Sequence, residues 1–237
     1  MEEVFLLSDA ERLAIFRVLS ENKRLSFNRL KDAVGLRSNK LSYQLKLMVE
    51  RGFLVHEGDE YGISLSAERL VPYFSQIFKK EVGVLPVLLG IVRHGSKILL
   101  IKRKKLPYKG WWSLIGGKQV SGESIPETIV REVMEEANVP AMFDRVNGVL
   151  YERLREDGKF KHSFLFVVVT VNAQSESIAS QNEGEVSWFD FDDVLKGKVE
   201  RIIPSDLHII KEYHSKSSSV EHVILEERGE ELVMVER

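Results

Sequence analysis

Residues 117–139 read GKQVSGESIPETIVREVMEEANV, and this stretch decides how the C-terminal half of the chain is interpreted. Five residues separate Gly117 from Glu123, and seven more precede the run Arg-Glu-Val-Met-Glu-Glu that begins at Arg131. Six fixed positions at average amino-acid usage give a chance match on the order of 10⁻⁵ for a chain of this length. The spacing therefore indicates a functional motif, whereas a lone Glu-Glu pair would indicate only a solvated helix face.

The same stretch predicts an amphipathic helix. Ser124 followed three residues later by Glu127 is the pattern of a capping box, which marks a helix N-terminus. At 3.6 residues per turn, three carboxylates fall within one arc of about 100° and apolar side chains fill the adjoining arc. The three carboxylates belong to Glu132, Glu135 and Glu136. We expect one side of the helix to pack on a sheet while the carboxylates point together into a cleft.

Carboxylates gathered in this way indicate a cation-binding site. Like charges so close together do not remain ionised unless cations neutralise them. Hard oxygen ligands select Mg²⁺ or Mn²⁺, and these ions also bind phosphate oxygens. A metal at such a site polarises phosphorus, lowers the pKa of a bound water and neutralises a leaving phosphate. Such an arrangement suits attack by water on a diphosphate bridge.

The motif is similar to the Nudix box, and the resemblance extends over about residues 82–200. Lys109–Gly117 resembles the strand and loop that lead into the box, while Glu185–Phe189 and Asp192–Leu195 resemble the family's late strand and helix. The resemblance implies an α/β/α sandwich with a mixed sheet. It also implies a Mg²⁺- or Mn²⁺-dependent hydrolase that cleaves a nucleoside diphosphate derivative at its pyrophosphate.

The resemblance assigns roles to individual residues of the box. It implies metal ligation by four positions, the last through its backbone carbonyl: Glu132, Glu135, Glu136 and Gly117. Glu123 and Arg131 form a pair that holds the loop and the helix in register. The spacing of Arg131 also fits an ordinary i,i+4 partner of Glu135, and that alternative stays open.

Four further positions are candidates for contact with the reacting groups. A carboxylate from a later loop often serves as a base or an extra ligand in this family, and Glu183 and Glu185 are the candidates here. For each of them, an ordinary solvated charge in a loop is the alternative interpretation. Arg103 and Arg153 are candidate contacts to substrate phosphates, with a solvated face as the alternative for each.

Strand and turn signals surround the motif. Val82–Val92 and Ile98–Ile101 have the composition of two strands, and the turn residues 93–96 lie between them. Asn138 stands where the family usually has Gly at the helix end. Because Asn tolerates a left-handed backbone conformation, we expect the helix to end there without loss of the fold.

The first half of the chain reads as short helices followed by a hairpin. Ser8, Ser26 and Ser38 are expected to open three helices, the last two of which end at Gly35 and Gly52. The apolar runs at 53–55 and 62–65 flank a polar tip and predict a β-hairpin. By pattern, residues 8–72 resemble the winged-helix domains of transcription regulators.

The third helix carries the candidate DNA contacts. Its N-terminal end and the residues beside it would meet base edges and phosphates of double-stranded DNA: Arg37, Ser38, Asn39, Lys40, Ser42, Tyr43, Gln44 and Lys46. Residues 23–51 hold 8 basic and 2 acidic residues. The hairpin tip, Glu57–Glu60, is acidic and argues against a wing that lies along DNA. An oligomerisation or docking module is therefore the alternative.

Composition fits a folded protein with two domains. The 237 residues contain 34 Lys and Arg, 36 Asp and Glu, and no Cys, which excludes disulfides, thiolate metal sites and cysteine nucleophiles. The longest apolar stretch, at 82–92, has 11 residues and is too short to span a bilayer. The N-terminus lacks the charge pattern of a signal peptide. We expect a cytoplasmic protein with no membrane partner.

The expected organisation is a winged helix-turn-helix domain with a connector helix at 1–80, a Nudix domain at 81–215 and a hairpin extension at 216–237. We expect a homodimer. The function favoured by the sequence is Nudix hydrolysis joined to DNA binding. The alternative is a transcription regulator that senses a nucleotide-type ligand, since some regulators resembling this pairing respond to ADP-ribose-like ligands. The motif does not identify the substrate.

Overall fold

The computed structural model describes residues 7–22, 24–68, 70–71, 83–179, 184–221, 223–228 and 231–236. The chain divides into two compact units, Met1–Gly83 and Val84–Arg237. Among the described residues, no helix combines the length and apolarity needed to cross a membrane. The N-terminal α+β winged helix and the C-terminal α/β/α sandwich with a mixed sheet that the sequence predicts are both observed.

Three helices form the body of the first unit: α1 (Ala10–Glu21), α2 (Phe27–Val34) and α3 (Ser38–Glu50). The cap of α1 is Asp9 rather than Ser8, because the Asp9 carboxylate accepts hydrogen bonds from the backbone N–H groups of Glu11 and Arg12. The helix α2 ends as predicted at Gly35, whose φ of 69° is left-handed. The side chains that meet in the core of this unit include Phe16, Leu30 and Leu45.

A small sheet completes the winged helix. Its strands are β1 (Arg24–Ser26), β2 (Leu54–Glu57) and β3 (Glu60–Ile63), in the antiparallel order β1-β3-β2. The predicted hairpin is confirmed, although its strands extend further toward the tip than expected, so that only two residues form the turn. The strand β1 and a short helix, α4 (Leu65–Glu68), were not predicted.

The second unit is built on one mixed sheet, whose described strands follow the order β10-β5-β4-β9-β8, with β6 beside β5 and β7 beside β4. The bounds are β4 (Leu85–His94), β5 (Lys97–Arg103), β6 (Trp112–Ser113), β7 (Ile115–Gly117), β8 (Ala141–Glu156), β9 (Lys159–Ala173) and β10 (Gly184–Asp190). The pair β4–β9 is parallel, and the pairs β8–β9 and β5–β10 are antiparallel.

Helices cover the two faces of this sheet: α5 (Ile125–Ala137), α6 (Phe191–Leu195) and α7 (Pro204–Tyr213). On one face, Ile129 and Val133 of α5 pack against Leu99 and other side chains of the strands. The next residue of β5, Leu100, points to the opposite face, where it packs with side chains of α6 and α7 such as Ile209. This alternation follows from the period of two in a strand, and it produces the three layers.

Both ends of α5 are as the sequence predicts. The Ser124 hydroxyl and the backbone N–H of Glu127 form one half of a capping box, and the Glu127 carboxylate accepts from the Ser124 N–H at 2.7 Å in the other half. Asn138 ends the helix in a left-handed conformation with a φ of 55°. Its N–H donates to the carbonyl of Met134 at 2.9 Å.

Two predicted features lie at the ends of the units. The expected connector helix at 70–80 falls mostly on residues 72–80, which are outside the described part of the chain. Near the C-terminus, β11 (Ile224–Arg228) and β12 (Glu231–Glu236) pair in antiparallel fashion, so the predicted C-terminal hairpin is present.

Candidate functional site

The helix α5 and the strand β7 bring Gly117 and Glu132 into contact. Gly117 ends β7 and pairs with Leu88 of β4. A Cβ at position 117 would stand 2.2 Å from Oε1 of Glu132, so only a glycine leaves room for this carboxylate. Glu132 and Glu136 are 8% and 6% exposed, respectively. Two acidic side chains of the helix are therefore withdrawn from water, which is unusual for carboxylates unless positive charge or hydrogen-bond donors compensate them.

Arg131 supplies positive charge at the centre of the site. Its Nη1 lies 2.8 Å from Oε1 of Glu132 and 3.2 Å from Oε2 of Glu135. Its Nε and Nη2 donate to the two carboxylate oxygens of Glu123 at 2.7 and 3.0 Å, a bidentate arrangement. Hydrogen bonding to Glu123, followed by that to Glu132, raises the pKa of Arg131, so the guanidinium stays charged.

Glu123 anchors the loop that precedes α5. Hydrogen bonding from Arg131 is the main reason that the pKa of Glu123 falls to about 2. The same carboxylate accepts from the Thr128 hydroxyl at 2.9 Å and from the Val120 N–H at 3.2 Å. One ionised side chain thus ties together the loop, the first turn of the helix and Arg131. The contact between Glu123 and Arg131 that the resemblance implies is present, and its role in positioning the loop and the helix stays a prediction.

The structure does not show the expected convergence of the three carboxylates of Glu132, Glu135 and Glu136. Glu132 and Glu136 are buried. The side chain of Glu135, in contrast, is 59% exposed, and it forms an ion pair with Arg131 of the same helix. Within the described ranges, no three acidic or imidazole groups lie close enough to hold a metal ion. The physical reason is that neighbouring carboxylates need a cation between them, and here the guanidinium provides it.

The residues nevertheless suit a divalent cation. The donor set consists of carboxylate oxygens, which are the ligands that Mg²⁺ and Mn²⁺ prefer. Two of these carboxylates are buried, and the space where Gly117 would carry a Cβ is occupied by the Glu132 carboxylate. The residues that could hold such an ion are the predicted ones: Glu132, Glu135, Glu136 and the backbone carbonyl of Gly117.

The remaining predicted residues lie outside this cluster. Glu185 is exposed on β10, where it pairs in register with Lys102, and Glu183 falls outside the described residues. Arg103 donates through Nε to the carbonyl of Pro107 at 2.9 Å. Arg153 is exposed and lies over the rings of its neighbours in the β8–β9 ribbon. Among the described residues, neither arginine forms an ion pair with a carboxylate of α5.

A buried hydrogen-bond network that no sequence pattern indicates holds the segment leading to Gly117. The Asp206 carboxylate, on α7, accepts from the Ser113 hydroxyl at 2.7 Å and from the Leu114 N–H at 2.8 Å. Burial raises the pKa of Asp206 to about 6. These bonds hold the segment between β6 and β7, which leads directly to Gly117. The partners are 92 and 93 residues apart, so no local pattern could have revealed the pairing.

A second missed contact joins Tyr108 to Glu152. The Tyr108 hydroxyl donates to Oε1 of Glu152 at 2.9 Å, and burial followed by this bond raises the pKa of Tyr108. Tyr108 has a φ of 63°, which is uncommon for a bulky residue. The contact links the loop after β5 to the strand β8.

In the first unit, the predicted DNA contacts divide into two groups. Most are exposed along the N-terminal part of α3: Arg37, Ser38, Asn39, Lys40, Ser42, Tyr43 and Lys46. Gln44 is a correction, because it is only 6% exposed and cannot reach base edges. Its amide accepts from Nη1 of Arg12 at 3.1 Å and donates to Glu11 at 3.0 Å, which holds α3 against α1.

The acidic hairpin tip is partly neutralised within the domain. Nη1 of Arg24, on β1, donates to Oε2 of Glu57 at 2.7 Å, and this bond lowers the pKa of Glu57. The rings of His56 and Tyr61 stack across the hairpin with centroids 4.1 Å apart. Arg24 is thereby paired within the wing. On α3, Lys40 pairs with Glu11 and Lys46 lies 3.8 Å from Glu50, while both lysine side chains remain exposed.

Comparison with known proteins identifies both units. A family model described as the NUDIX domain matches residues 84–213, and one described as a helix-turn-helix domain matches residues 7–57. The Nudix hydrolase YvcI of Bacillus subtilis is 26% identical over 121 residues, which are 51% of this chain and 73% of that protein. An ADP-ribose pyrophosphatase of Methanocaldococcus jannaschii is 32% identical over 107 residues.

The second of these matches covers 45% of this chain and 62% of the relative. Among solved structures, the NUDIX hydrolase from Nitrosomonas europaea aligns with a TM-score of 0.46 and 19% identity. That alignment covers 58% of this chain and 76% of the other. Each of these three matches leaves a large part of this chain unmatched.

Proposed function

Since the chain belongs to the Nudix family of pyrophosphohydrolases, matched over residues 84–213, we propose that this domain hydrolyses the diphosphate bridge of a nucleoside diphosphate derivative. Water forms a new bond to one phosphorus, and the bridging oxygen leaves with the electrons of the broken P–O bond. The observation that carries the proposal is the pair of buried carboxylates, Glu132 and Glu136, on the helix of the motif.

A divalent cation, Mg²⁺ or Mn²⁺, is the cofactor we propose, and it would be held by Glu132, Glu135, Glu136 and the Gly117 carbonyl. When bound, such an ion polarises phosphorus and neutralises the leaving phosphate. Arg131 contacts two of the same carboxylates through one nitrogen while two others hold Glu123. Its bidentate bond to Glu123 therefore keeps the helix in register with the preceding loop. This holds whether the guanidinium or a divalent ion neutralises the carboxylates.

The relatives and the charged residues on the strands of the sheet support the substrate class that we propose. One relative is named an ADP-ribose pyrophosphatase, so ADP-ribose and other nucleoside diphosphate sugars are the first substrates to test. We propose Arg103 and Arg153 as phosphate contacts and Glu185 as the base, since Glu185 and Arg153 are exposed and Arg103 is held at the end of β5. Glu183 is the alternative position for a late carboxylate.

Turnover of defined substrates tests the proposal. We expect the full chain with Mg²⁺ to release phosphorylated products from nucleoside diphosphate derivatives, with the products identified by mass spectrometry. Glu136→Gln keeps the shape of the side chain but removes its charge, and we expect kcat/KM to fall about 100-fold or more. Glu212→Gln on the exposed side of α7 is the matched control.

Two outcomes would contradict the proposal. One is the absence of turnover across a broad panel with either metal. The other is Glu136→Gln activity equal to that of the control variant, because the buried carboxylate would then have no part in the reaction.

As a second function, we propose that the helix-turn-helix domain binds double-stranded DNA through α3. The family match at 7–57 and the exposed cations of α3, Arg37, Lys40 and Lys46, support this function. We further propose that a nucleotide ligand of the Nudix domain changes the affinity for DNA. Selection of bound sequences from a random library, repeated with ADP-ribose, tests both points. Failure to retain any DNA at low salt would leave α3 as an oligomerisation surface.

A further inference from the structure

A polar cavity of about 260 Å³ lies in the Nudix domain at the end of the sheet where β4 finishes. Six of its lining side chains are polar or charged: Arg93, Asp144, Arg145, Thr170, Asn172 and His214. The register of the strands explains why they meet. Arg93 of β4 pairs with Asn172 of β9, which pairs with Met142 near the start of β8, and the C-terminal end of α7 closes the side.

This cavity is separate from the carboxylate site. Ile91, which lines the cavity, packs with α6 and α7, whereas Ile129 and Val133 of α5 pack on the opposite face. Along β4, Gly117 lies beside Leu88, and Arg93 follows five residues later, or about 17 Å further along the strand. The sheet therefore stands between the two locations.

Arg93 is the cation around which the cavity is built. Its guanidinium lies 3.6 Å from the centroid of the Phe191 ring, and it donates to the carbonyls of Lys97 and Gly95 at 3.2 and 3.3 Å. In the described ranges, no carboxylate lies within ion-pair distance of it. Desolvation by burial lowers the pKa of Arg93, and the negative charge of Asp192 partly opposes this shift. A half-buried guanidinium without an ionic partner favours binding of an anion.

Arg145 is the second cation, and its position is fixed. It donates to the carbonyl of His214 at 2.9 Å and to that of Lys216 at 3.2 Å, and it pairs with the neighbouring Asp144. The one carboxylate that lines the cavity is thus engaged by Arg145. Arg93 has no described carboxylate within ion-pair distance, so the two arginines and one aspartate among the described lining residues give the cavity a net positive charge.

We propose that this cavity is a second ligand site, which binds an oxyanion of the phosphate type. Arginine N–H groups are good donors to phosphate oxygens. In Arg93, Nε and Nη2 hold the carbonyls of Lys97 and Gly95 and the ring of Phe191 holds the guanidinium plane, so Nη1 is the nitrogen we assign to the anion. A water molecule occupies about 30 Å³ of liquid, so the cavity accommodates a phosphate group with a small attached moiety. The amide of Asn172, which is exposed at the cavity, supplies further hydrogen-bond donors.

Titration calorimetry with simple anions tests the proposal on the full chain. The probes are inorganic phosphate and pyrophosphate, with acetate as the carboxylate arm. We expect saturable binding of phosphate in the millimolar range or tighter, and weaker binding of acetate, which offers fewer oxygens to the arginine donors. The titrations are run without a divalent cation, because carboxylates alone repel an anion and the catalytic site then does not bind phosphate. Under these conditions Glu136→Gln, at the carboxylate site, should keep the binding.

Two variants of the cavity should lose the binding. Arg93→Gln removes the charge, and we expect affinity to fall about tenfold or more. Asn172→Asp places a negative charge at the exposed edge of the cavity while Arg93 and its stacking partner stay in place. Gln174→Glu is the matched control, because it adds the same charge at an exposed position of the neighbouring segment that does not line the cavity. Circular dichroism establishes that each variant is folded.

The outcomes separate clearly. Loss of phosphate binding in Asn172→Asp and Arg93→Gln, with retention in Gln174→Glu and Glu136→Gln, supports the site. Equal binding by all variants would mean that phosphate binds elsewhere, and the proposal would be wrong. The absence of phosphate and pyrophosphate binding in the unmodified chain would overturn it as well. A stronger response to acetate than to phosphate would assign the cavity to carboxylates instead.

Discussion

Two adjacent glycines at the end of β7 are required for different reasons. A Cβ at Gly116 would stand 2.0 Å from the backbone oxygen of Leu88, which cannot move without disrupting β4. A Cβ at Gly117 would meet the carboxylate of Glu132, the far end of a flexible side chain. Adding a methyl group is therefore expected to destabilise the fold at Gly116, whereas at Gly117 it is expected to affect only the local geometry of the site.

We predict that Gly116→Ala lowers the free energy of unfolding by about 2 kcal/mol, a typical cost of overpacking. We expect Gly117→Ala to leave stability nearly unchanged but to displace the Glu132 carboxylate and lower kcat/KM. Urea unfolding and substrate turnover of both variants check this. Full activity in Gly117→Ala would contradict the role given to the contact between Gly117 and Glu132.

At the scale of secondary-structure elements, α7 is joined to the segment between β6 and β7 by the carboxylate of Asp206. Because its pKa rises from 3.8 to about 6 on folding, the folded protein binds more protons than the unfolded one between these values. The contribution of Asp206 to stability is therefore full below pH 3.8 and is lost as the pH rises through 6. The shift corresponds to about 3 kcal/mol at most.

We predict that Asp206→Asn removes the loss of stability that accompanies rising pH. An amide oxygen can still accept hydrogen bonds from Ser113 and Leu114, and it does not ionise. Relative to the unmodified protein, the variant should gain up to about 3 kcal/mol in unfolding free energy between pH 4 and pH 7. Urea unfolding at the two pH values measures the difference. Asp192→Asn, at an exposed side chain, controls for the change in net charge. A difference that is the same at both pH values would contradict the prediction.

The elements that the sequence predicts well are those specified by neighbouring residues. Ser124 and Glu127 are three positions apart and fix the start of α5, and Asn138 fixes its end. Long-range partners were not predictable. Gln44 was assigned to DNA because its place on α3 suggested exposure, but Arg12 and Glu11, more than 30 residues away, hold it inside.

In the candidate site, too, local features were predictable and long-range contacts were not. The carboxylates and Arg131 belong to one short motif, so their grouping on one helix was predictable. Their arrangement was not, because helical spacing does not specify that Arg131 inserts between Glu132 and Glu135. The hydrogen-bond network of Asp206 was also not predictable, since its partners lie far away in the sequence.

At the scale of the whole molecule, charge is divided unevenly along a chain whose net charge is −2. Residues 1–80 contain 13 basic and 11 acidic residues, and the remainder contain 21 and 25. We therefore expect any attraction to DNA to come from the first unit, and we propose that the exposed cations of α3 supply it. A small number of phosphate contacts gives a moderate dependence on salt.

We predict that DNA binding by the full chain falls with salt with a log–log slope of about −3 to −4, as expected for three or four phosphate contacts. Lys46→Gln, at a side chain that is 77% exposed, should weaken binding and reduce the slope by about 1. Fluorescence anisotropy at several salt concentrations measures both. Arg17→Gln on α1 removes a charge outside α3 and should leave the slope unchanged.

The parallel ladder between β4 and β9 has a consequence for synthesis of the protein. Leu85 pairs with Phe164, which the ribosome adds 79 residues later. At translation rates of 5–20 residues per second, the apolar strand β4 waits on the order of ten seconds for its parallel neighbour, whereas the winged helix is already complete. Nascent chains at this stage expose the future centre of the sheet, so molecular chaperones have their greatest opportunity to bind while β4 awaits β9.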